Sequence, residues 1–253
     1  MRAGICGRAH GQCLSLNLRG SGHAPPVVLI VPTRNEAGAI GPALGAVSRS
    51  VVDTIIVADG ASTDSTRDEA CAAGADVIDA GRGYGRACSM GAAAAAPGAI
   101  LVFMDGDGSD RADLIPNLID PILSGTHDFV IASRVRGARE PGSMGMHQIL
   151  VGRLIGFLVK VRYGVGYTDM CAFRAIRREQ LMGLGMQEMT YGWNLEMQMR
   201  AAQAGLRILE LPMPYRRRVA GASKVSGHWL GTLRASARLL STFLRIALEP
   251  TRR

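Results

Sequence analysis

The stretch ILVFMDGDGSD, residues 100–110, joins five consecutive apolar residues to two aspartates separated by one glycine. A short continuous apolar run is typical of a strand buried on both faces of a sheet. Asp105 and Asp107 follow directly, and carboxylates at the end of a buried strand are costly unless a cation neutralises them. Mg²⁺ or Mn²⁺ takes few protein carboxylates and completes its shell with phosphate oxygens. The stretch therefore predicts a buried strand ending at a Mg²⁺ or Mn²⁺ site with a diphosphate ligand. A plain acidic turn is the alternative.

Further apolar runs on both sides of this stretch predict strands that alternate with helices. The predicted strands are 27–31, 54–58, 76–78, 100–104, 129–132 and 207–211, with an extended segment at 169–177. The predicted helices are 37–50, one capped by Ser62 or Thr63, 84–96, 110–123, 147–161, 191–204 and 228–248. Strands and helices alternating at this spacing form βαβ units. We therefore expect an α/β fold with a mostly parallel sheet flanked by helices, and a basic amphipathic helix at its C-terminal end.

Polar residues also follow the first two predicted strands. Glu36 follows the first strand and Asp59 the second, and ligands of open α/β sheets bind at the carboxyl ends of strands. Both carboxylates can accept hydrogen bonds from a base or a ribose; the alternative is an acid that complements a helix dipole, which fits Asp64 in the first turn of its helix. The turn Gly81–Gly85 is not a dinucleotide fingerprint, because Arg86 stands where a glycine is needed. We expect this turn to let the backbone approach a phosphate or sugar.

Length and composition restrict the class of protein. The chain has 253 residues, of which 47% are hydrophobic, and this suffices for one domain with an ample core. We expect a flexible extension over 1–26, the main domain over 27–227, and the C-terminal helix with a basic tail over 228–253. No signal peptide or spanning segment is recognisable, and five scattered cysteines indicate reduced thiols. These features predict a cytoplasmic protein.

Positive charge is concentrated near the C-terminus. The net charge is +8, and residues 200–253 hold eleven basic residues against two acidic ones. Such a block favours a phosphate-bearing partner, namely a nucleotide, a nucleic acid or an anionic membrane. Arg218 and Lys224 lie in a Gly- and Ser-bearing loop that can fold over a diphosphate; a basic surface loop is the alternative. Arg134, just past the fifth strand, is a further candidate phosphate ligand.

These stretches together resemble the family 2 glycosyltransferases of the GT-A fold, and in particular their dolichol- or polyprenol-phosphate mannose synthase branch. The stretches that carry the resemblance are VVLIVPTRNEAGAI (27–40), IIVADGASTDST (55–66), ILVFMDGDGSDRADLIPNL (100–118), DFVIASRVRG (128–137), TDMCAFRAIRREQL (168–181) and GWNLEMQMRAAQAGLRILELPMPYRRRVAGASK (192–224). Their order and spacing make the set specific.

The resemblance implies a nucleotide-sugar donor bound at the strand ends. The residues that it assigns to the donor are Pro32, Arg34, Glu36, Val57, Asp59, Asp105, Gly106, Asp107, Arg134, Arg218 and Lys224. The metal ligands would be Asp105 and Asp107. The catalytic set would be Asp107, Arg134, Arg218 and Lys224. Arg34 falls where the family commonly has an aromatic residue, and Gly60 replaces a common aspartate.

The activity implied is an inverting transfer of a hexose from a GDP-mannose or UDP-glucose type of donor to a polyprenyl or dolichyl phosphate or a related acceptor. A lipid phosphate is already anionic and needs no general base, so we expect Glu196 to orient a basic residue of the closing loop. One alternative is a hydroxyl acceptor with Glu196 as the base. Others are a nucleotidyltransferase, a catalytically inactive relative and a nucleic-acid-binding protein. The chain lacks the interleaved aromatic residues that are typical of nucleic-acid-binding modules, so no nucleic acid is expected.

The helix predicted over 228–248 alternates apolar residues with arginines. Its Trp and Leu side chains can face an acyl boundary while its arginines meet lipid phosphate. We therefore hypothesise peripheral attachment to the anionic inner face of a membrane. The alternative is a helix packed on the sheet with its arginines outside.

Overall fold

The computed structural model describes residues 24–219 and 229–249. The strands in these ranges are β1 (Val27–Thr33), β2 (Thr54–Asp59), β3 (Asp76–Asp79), β4 (Ile100–Phe103), β5 (Phe129–Ser133), β6 (Arg174–Arg177) and β7 (Ile208–Pro212). The helices are α1 (Ile40–Gly45), α2 (Thr66–Ala72), α3 (Tyr84–Ala94), α4 (Ile115–Leu123), α5 (Met146–Tyr163), α6 (Arg178–Gly183), α7 (Trp193–Gln203) and α8 (Trp229–Leu248). The predictions for 1–23, Lys224 and 250–253 lie outside the described residues, and the predicted domain boundaries stay predictions.

The seven strands form one sheet in the order β3-β2-β1-β4-β6-β5-β7. Neighbouring strands pair in parallel, except that β6 runs antiparallel to both β4 and β5. The predicted mostly parallel sheet with flanking helices is therefore confirmed. Because β6 is reversed, its amino end lies at the same edge of the sheet as the carboxyl ends of the other strands. The chain that enters β6 is thus brought to the edge where ligands bind.

The centre of the sheet explains the apolar runs in the sequence. Every residue of β1, β4 and β5 is buried, because helices cover the sheet as in other α/β folds. Helix α3 packs on β1 and β2, and α4 packs on β4, β5 and β6. Gly91 of α3 is in close contact with β1: a Cβ there would lie 2.5 Å from Ile30 Cγ2. The rigid sheet fixes the positions from which the polar loops start.

Several helix boundaries differ from the prediction, for local reasons. Helix α1 covers less than the predicted 37–50, with turns on both sides of it: the Glu36 carbonyl accepts the N–H of Ala39 before the helix, and the Leu44 carbonyl accepts the N–H of Val47 after it. Asp64 lies before α2, not in its first turn, because its carboxylate accepts hydrogen bonds from the N–H and the hydroxyl of Thr66. Helix α6 is not predicted at all, since six residues are too few for helical periodicity to show.

Helix α8 packs against α7. Its Ile246 is fully buried. Arg238 binds the Glu188 carboxylate at 3.0 Å, and Arg245 binds Glu196 at 3.2 Å. Two of the arginines that were expected to meet lipid phosphate therefore bind carboxylates of the protein itself. None of the helices within the described ranges is both long and apolar enough to cross a membrane.

Candidate active site

The candidate site lies where β1, β2 and β4 end side by side. β1 is the middle strand of the three, and Thr33 at its end pairs with Asp59 at the end of β2. On the other side Ile30 pairs with Phe103, the last residue of β4. The loops carrying Glu36, Asp59 and Asp105 therefore start from adjacent positions, and they form the polar edge that the sequence predicts.

The loop after β4 is held tightly against β1. A Cβ on Gly106 would lie 2.8 Å from Thr33 Cγ2 and 3.2 Å from Ile40 Cδ1, so only glycine fits between the two aspartates. Gly106 is buried, and its role is to seat the loop. Asp107 is also buried, and its Oδ1 accepts hydrogen bonds from the N–H of Ser109 at 2.9 Å and from its hydroxyl at 2.5 Å. The carboxylate of Asp107 is therefore held in a fixed orientation.

The second oxygen of Asp107 faces a cation. Asp107 Oδ2 lies 3.1 Å from Arg218 Nη1, which is contributed by a segment more than one hundred residues later. Burial and the negative charge of Asp107 raise the pKa of Asp105, and Arg134 and Arg218 oppose this rise. The direction of this shift shows that the two guanidinium groups do not fully offset burial and the crowding of the two carboxylates. The predicted aspartate pair and two of the three predicted cations are thus brought together.

The donor chemistry of this pair fits Mg²⁺ or Mn²⁺, because both ligands are hard carboxylate oxygens on one short loop. In residues 24–219 and 229–249, no group of three or more His, Cys, Asp or Glu side chains is arranged to hold a metal. A small divalent cation on two carboxylates completes its shell with phosphate oxygens and water. Asp110, which the sequence analysis did not select, belongs to the same cluster. It accepts a hydrogen bond from Asp105 N at 3.1 Å, and burial together with Asp105 and Asp107 raises its pKa well above the ordinary value.

Arg134, just past β5, is held by a partner that the sequence analysis did not identify. Its Nε and Nη2 donate to the two carboxylate oxygens of Asp169, each at 2.7 Å. Burial would raise the pKa of Asp169, but the Arg134 guanidinium outweighs burial and holds that pKa below its usual value. Arg134 also stacks on the Tyr215 ring, 5.0 Å from its centroid. The stretch TDMCAF contains Asp169, yet only the tertiary fold shows that it fixes Arg134.

Residues 215–219, here called the cover segment, lie across the Asp105–Asp107 loop. The Tyr215 hydroxyl is 3.0 Å from Ser109 Oγ, and the N–H of Val219 donates to the Asp107 carbonyl at 3.0 Å. Gly108 makes this contact possible, since a Cβ there would lie 2.6 Å from Val219 Cγ2. The cover segment carries Arg218 to the aspartates, as expected of a loop that folds over a diphosphate.

The other predicted donor residues occupy different surroundings. Asp59 is fully buried and accepts hydrogen bonds from Ser62 N at 3.1 Å and Ser62 Oγ at 2.5 Å. Pro32 is buried in β1, whereas Arg34 is exposed just past its end. Val57 is fully buried in the hydrophobic core, and its assignment to the donor stays a prediction.

The loops after β1 and β2 are joined to each other. Asn35 N donates to Ser62 Oγ at 2.9 Å, and Thr63 N donates to Asn35 Oδ1 at 2.9 Å. Asn35 and Ala61 have φ values of +50° and +61°, a region that side chains other than glycine occupy at a cost. A Cβ on Gly60 would lie 3.0 Å from the Thr33 carbonyl oxygen. The tight junction favours glycine at position 60.

Two further predicted features contact other parts of the protein. The Gly81–Gly85 turn packs against protein backbone at Gly83, where a Cβ would lie 2.5 Å from the Met189 carbonyl oxygen, and its approach to a phosphate or sugar stays a prediction. Glu196 does not reach the cover segment. Its Oε1 binds Arg200 at 2.9 Å and Arg245 at 3.2 Å, and its Oε2 accepts hydrogen bonds from the backbone at residues 187 and 188. Glu196 therefore joins α7, α8 and the 187–188 loop.

Comparison with known proteins gives the family. The family model described as glycosyl transferase family 2 matches residues 28–184. The chain is 34% identical to an uncharacterized glycosyltransferase of Mycobacterium tuberculosis (strain ATCC 25618 / H37Rv) over 82% of this chain and 93% of the relative. It is 34% identical to a dolichyl-phosphate hexose transferase of Haloferax volcanii over 79% of this chain and 86% of the relative.

A solved structure agrees with the fold. It is glucosyl-3-phosphoglycerate synthase from Mycobacterium tuberculosis in complex with Mn²⁺, uridine diphosphate and glucosyl-3-phosphoglycerate. The TM-score is 0.71 at 22% identity, over 89% of this chain and 81% of that chain. The GT-A fold and the resemblance to glycosyltransferases that act on polyprenol phosphates are thus confirmed. The chain belongs to glycosyl transferase family 2.

Proposed function

We propose that this glycosyltransferase moves a hexose from a GDP-mannose or UDP-glucose type of donor to a polyprenyl phosphate, a dolichyl phosphate or a related lipid acceptor, with inversion at the anomeric carbon. The observation that carries the proposal is the convergence of Asp105 and Asp107 with Arg134 and Arg218 at the strand ends. This group has the charges that a sugar diphosphate needs: acids for a cation, and cations for phosphate oxygens. The likeness to a dolichyl-phosphate hexose transferase supports the acceptor class.

The donor's nucleoside belongs on the side of β1 and β2. Asp59 is held rigidly by Ser62, and Glu36 lies in the adjoining loop with its N–H bound to Thr66 Oγ1 at 2.8 Å. Fixed carboxylates can accept hydrogen bonds from ribose hydroxyls or a base N–H. The diphosphate would then extend toward Asp105 and Asp107, one strand further along the sheet. The exposed Arg34 would lie at the rim of the base site.

Departure of the nucleoside diphosphate is the step in which charge develops. Mg²⁺ or Mn²⁺ on Asp105 and Asp107 would neutralise part of that charge when bound. Arg134, oriented by Asp169, and Arg218 would donate hydrogen bonds to the phosphate oxygens as the anomeric C–O bond breaks. Lys224, which follows the cover segment in the sequence, is proposed to act with them. Fixed donors aimed at developing charge are a large source of rate enhancement.

An acceptor phosphate supplies its own nucleophile, since its oxygen is already anionic at neutral pH. One in-line displacement forms the new C–O bond as the old one breaks, which inverts the anomeric carbon. The alternative of a hydroxyl acceptor with Glu196 as base is disfavoured, because Glu196 binds Arg200, Arg245 and the backbone at residues 187 and 188, and none of these belongs to the Asp105–Asp107 loop or the cover segment. A general base must reach the proton that it removes.

The test is a panel of nucleotide sugars with Mg²⁺ or Mn²⁺ and a short polyprenyl phosphate, assayed for release of nucleoside diphosphate. We expect turnover with one donor, its loss in EDTA, and its loss in Asp107→Ala. Asp113→Asn is the matched control: its side chain is half exposed and pairs with Arg111, so turnover should persist. Turnover that survives both EDTA and Asp107→Ala would refute the metal role. Turnover with a hydroxyl acceptor alone would refute the acceptor class.

A further inference from the structure

Helix α5 exposes a row of large apolar side chains along its whole length. Their exposed fractions are Met146 80%, Leu150 70%, Leu154 56%, Phe157 61% and Val161 70%. The spacing of three or four residues places all five within an arc of about 80° on the helix. Contiguous apolar surface of this kind is unusual on a monomer and marks an interaction site. We call these five residues the α5 stripe.

The opposite face of α5 is already seated in the protein. Ile155 and Val159 are buried in the core. Gly156 lies directly against the Tyr167 carbonyl, and no Cβ could be accommodated there. The helix is therefore held by its inner face, and the α5 stripe is a second apolar face that the described part of the chain does not bury.

The charged residues of α5 are all basic. The sequence from Met146 to Tyr163 holds no aspartate or glutamate, and Arg153 and Lys160 are exposed along one edge of the α5 stripe. Arg162 lies on another side of the helix, over the Tyr163 ring and against the Ala247 carbonyl. Basic side chains that border an apolar stripe can keep their charged ends at lipid headgroups while their stems lie along the acyl region. A second copy of the chain would instead bring two basic faces together. The complementary partner is a negatively charged lipid surface.

We propose that α5 is the membrane-docking element of this protein. It lies in the plane of an anionic lipid surface, with the α5 stripe at the acyl boundary and Arg153 and Lys160 at the headgroups. This assigns docking to α5 in place of α8, where Arg238 and Arg245 are bound to carboxylates of the protein. The binding itself is independent of the proposed function.

Both ends of α5 are connected to the candidate active site. Before the helix, Glu140 accepts a hydrogen bond from Arg217 N at 2.7 Å and its N–H donates to the Tyr215 carbonyl at 3.0 Å, which fixes this loop to the cover segment. After the helix, the chain reaches Asp169, the partner of Arg134. A membrane docked on α5 would thus present lipid phosphates beside the cations of the site. This last step rests on the proposed acceptor.

Flotation of the full chain with vesicles tests the proposal without any substrate. The vesicles are phosphatidylcholine alone or with about 30 mol % phosphatidylglycerol, which supplies the anionic surface. We expect flotation with the anionic vesicles, and a loss of at least about tenfold in Leu150→Gln/Phe157→Gln, since two apolar anchors are removed. Leu240→Gln/Leu244→Gln on α8 is the matched control, with exposed leucines one turn apart, and should float like the wild type.

Three results would overturn the proposal. They are equal flotation of the α5 variant and the wild type, loss of flotation only in the α8 variant, and a wild-type dimer by light scattering that the α5 variant dissociates. Unchanged thermal melting of both variants shows that they fold. Donor turnover with a short, detergent-dispersed polyprenyl phosphate is measured alongside and should not change in the α5 variant. Flotation without turnover in the wild type would contradict the proposed function and leave the docking element in place.

Discussion

Two buried aspartates on either side of β1, Asp59 at the end of β2 and Asp107 after β4, have similar local hydrogen bonds and different counter-ions. Each accepts hydrogen bonds from the N–H and the hydroxyl of a serine a few residues later. Asp59 is then paired with Arg67 of the following helix at 3.3 Å, whereas Asp107 is paired with Arg218, 111 residues away, at 3.1 Å.

The difference separates a preformed part of the site from an assembled part. The Asp59 side is complete within one βα unit, so it exists as soon as β1, β2 and α2 are packed. The Asp107 side is complete only when the cover segment lies on the Asp105–Asp107 loop. Arg218 can therefore leave Asp107 or stay bound to it as the charge between Asp105 and Asp107 changes. We expect closure of the cover segment over the diphosphate to be the step that varies.

The largest expected effect comes from exchanging the two aspartates for amides. Asp107→Asn should lower kcat by about 10³-fold, because an amide neither holds the cation nor pairs with Arg218. Asp59→Asn should mainly raise KM for the donor, by about tenfold, through lost hydrogen bonds to the nucleoside. Steady-state kinetics with saturating metal measures both. Similar changes in kcat for the two variants would break the distinction between the two sides.

The next effect is on stability and concerns the ion pair between Asp169 and Arg134. Asp169→Asn leaves the buried Arg134 without its carboxylate and should cost about 3 kcal/mol of unfolding free energy at pH 7. The folded-state pKa of Asp169 is depressed, so its contribution is present above the unfolded value and is lost as pH falls through the folded one. The difference from wild type should shrink in acid. Chemical denaturation at pH 7 and in acid measures the difference in unfolding free energy between the variant and the wild type. A difference that does not change with pH would contradict its origin in the ion pair. Asp113→Ala, in a surface pair, should cost less than about 1 kcal/mol.

A smaller loss of activity is expected when Arg218, the cation distant in sequence from Asp107, is removed. Arg218→Ala should lower kcat by about 10²-fold, because one donor to the departing phosphate is removed. Its side chain is about one-third exposed, so melting should hardly change. Arg218→Lys should recover part of the rate, since charge returns without the bidentate geometry. A variant with full activity would show that the pairing seen with Asp107 is not used in the reaction.

The smallest effect is expected when Arg67, the cation close in sequence to Asp59, is removed. Arg67→Ala should cost less than about 1 kcal/mol of stability and change kcat less than about twofold, because Ser62 still holds Asp59 and the pair is partly exposed. Thermal melting and kinetics measured beside Arg218→Ala give the direct comparison. A larger loss of kcat in Arg67→Ala than in Arg218→Ala would show that the Asp59 side, not the Asp107 side, is the part that varies during the reaction.

What the sequence could predict follows the same division. The apolar runs predicted the buried strands, and the rule for strand ends then brought Glu36, Asp59, Asp105 and Asp107 to one edge. These inferences need only residues near in sequence. Asp169 and Asp110 were missed, because their roles depend on Arg134 and on crowding in the folded loop.

Other features were beyond sequence reasoning for different reasons. An apolar pattern carries no direction, so the reversed β6 could not be predicted. The sequence predicted the arginines of α8 to be lipid ligands. Their carboxylate partners Glu188 and Glu196 are distant in sequence and come close only when α8 packs on α7, so this pairing could not be predicted.

The reversed direction of β6 has a consequence for how this enzyme can change. The chain leaves the reactive edge at Arg134, runs through α5, and returns to the same edge at Asp169, and the ion pair between these two residues closes the excursion at its base. The excursion is anchored to the rest of the protein by Ile155 and Val159 in the core and by Glu140 at the cover segment. Its solvent-facing positions are free of these contacts, so they can change in sequence while the strand ends that carry Asp59 and Asp107 stay the same.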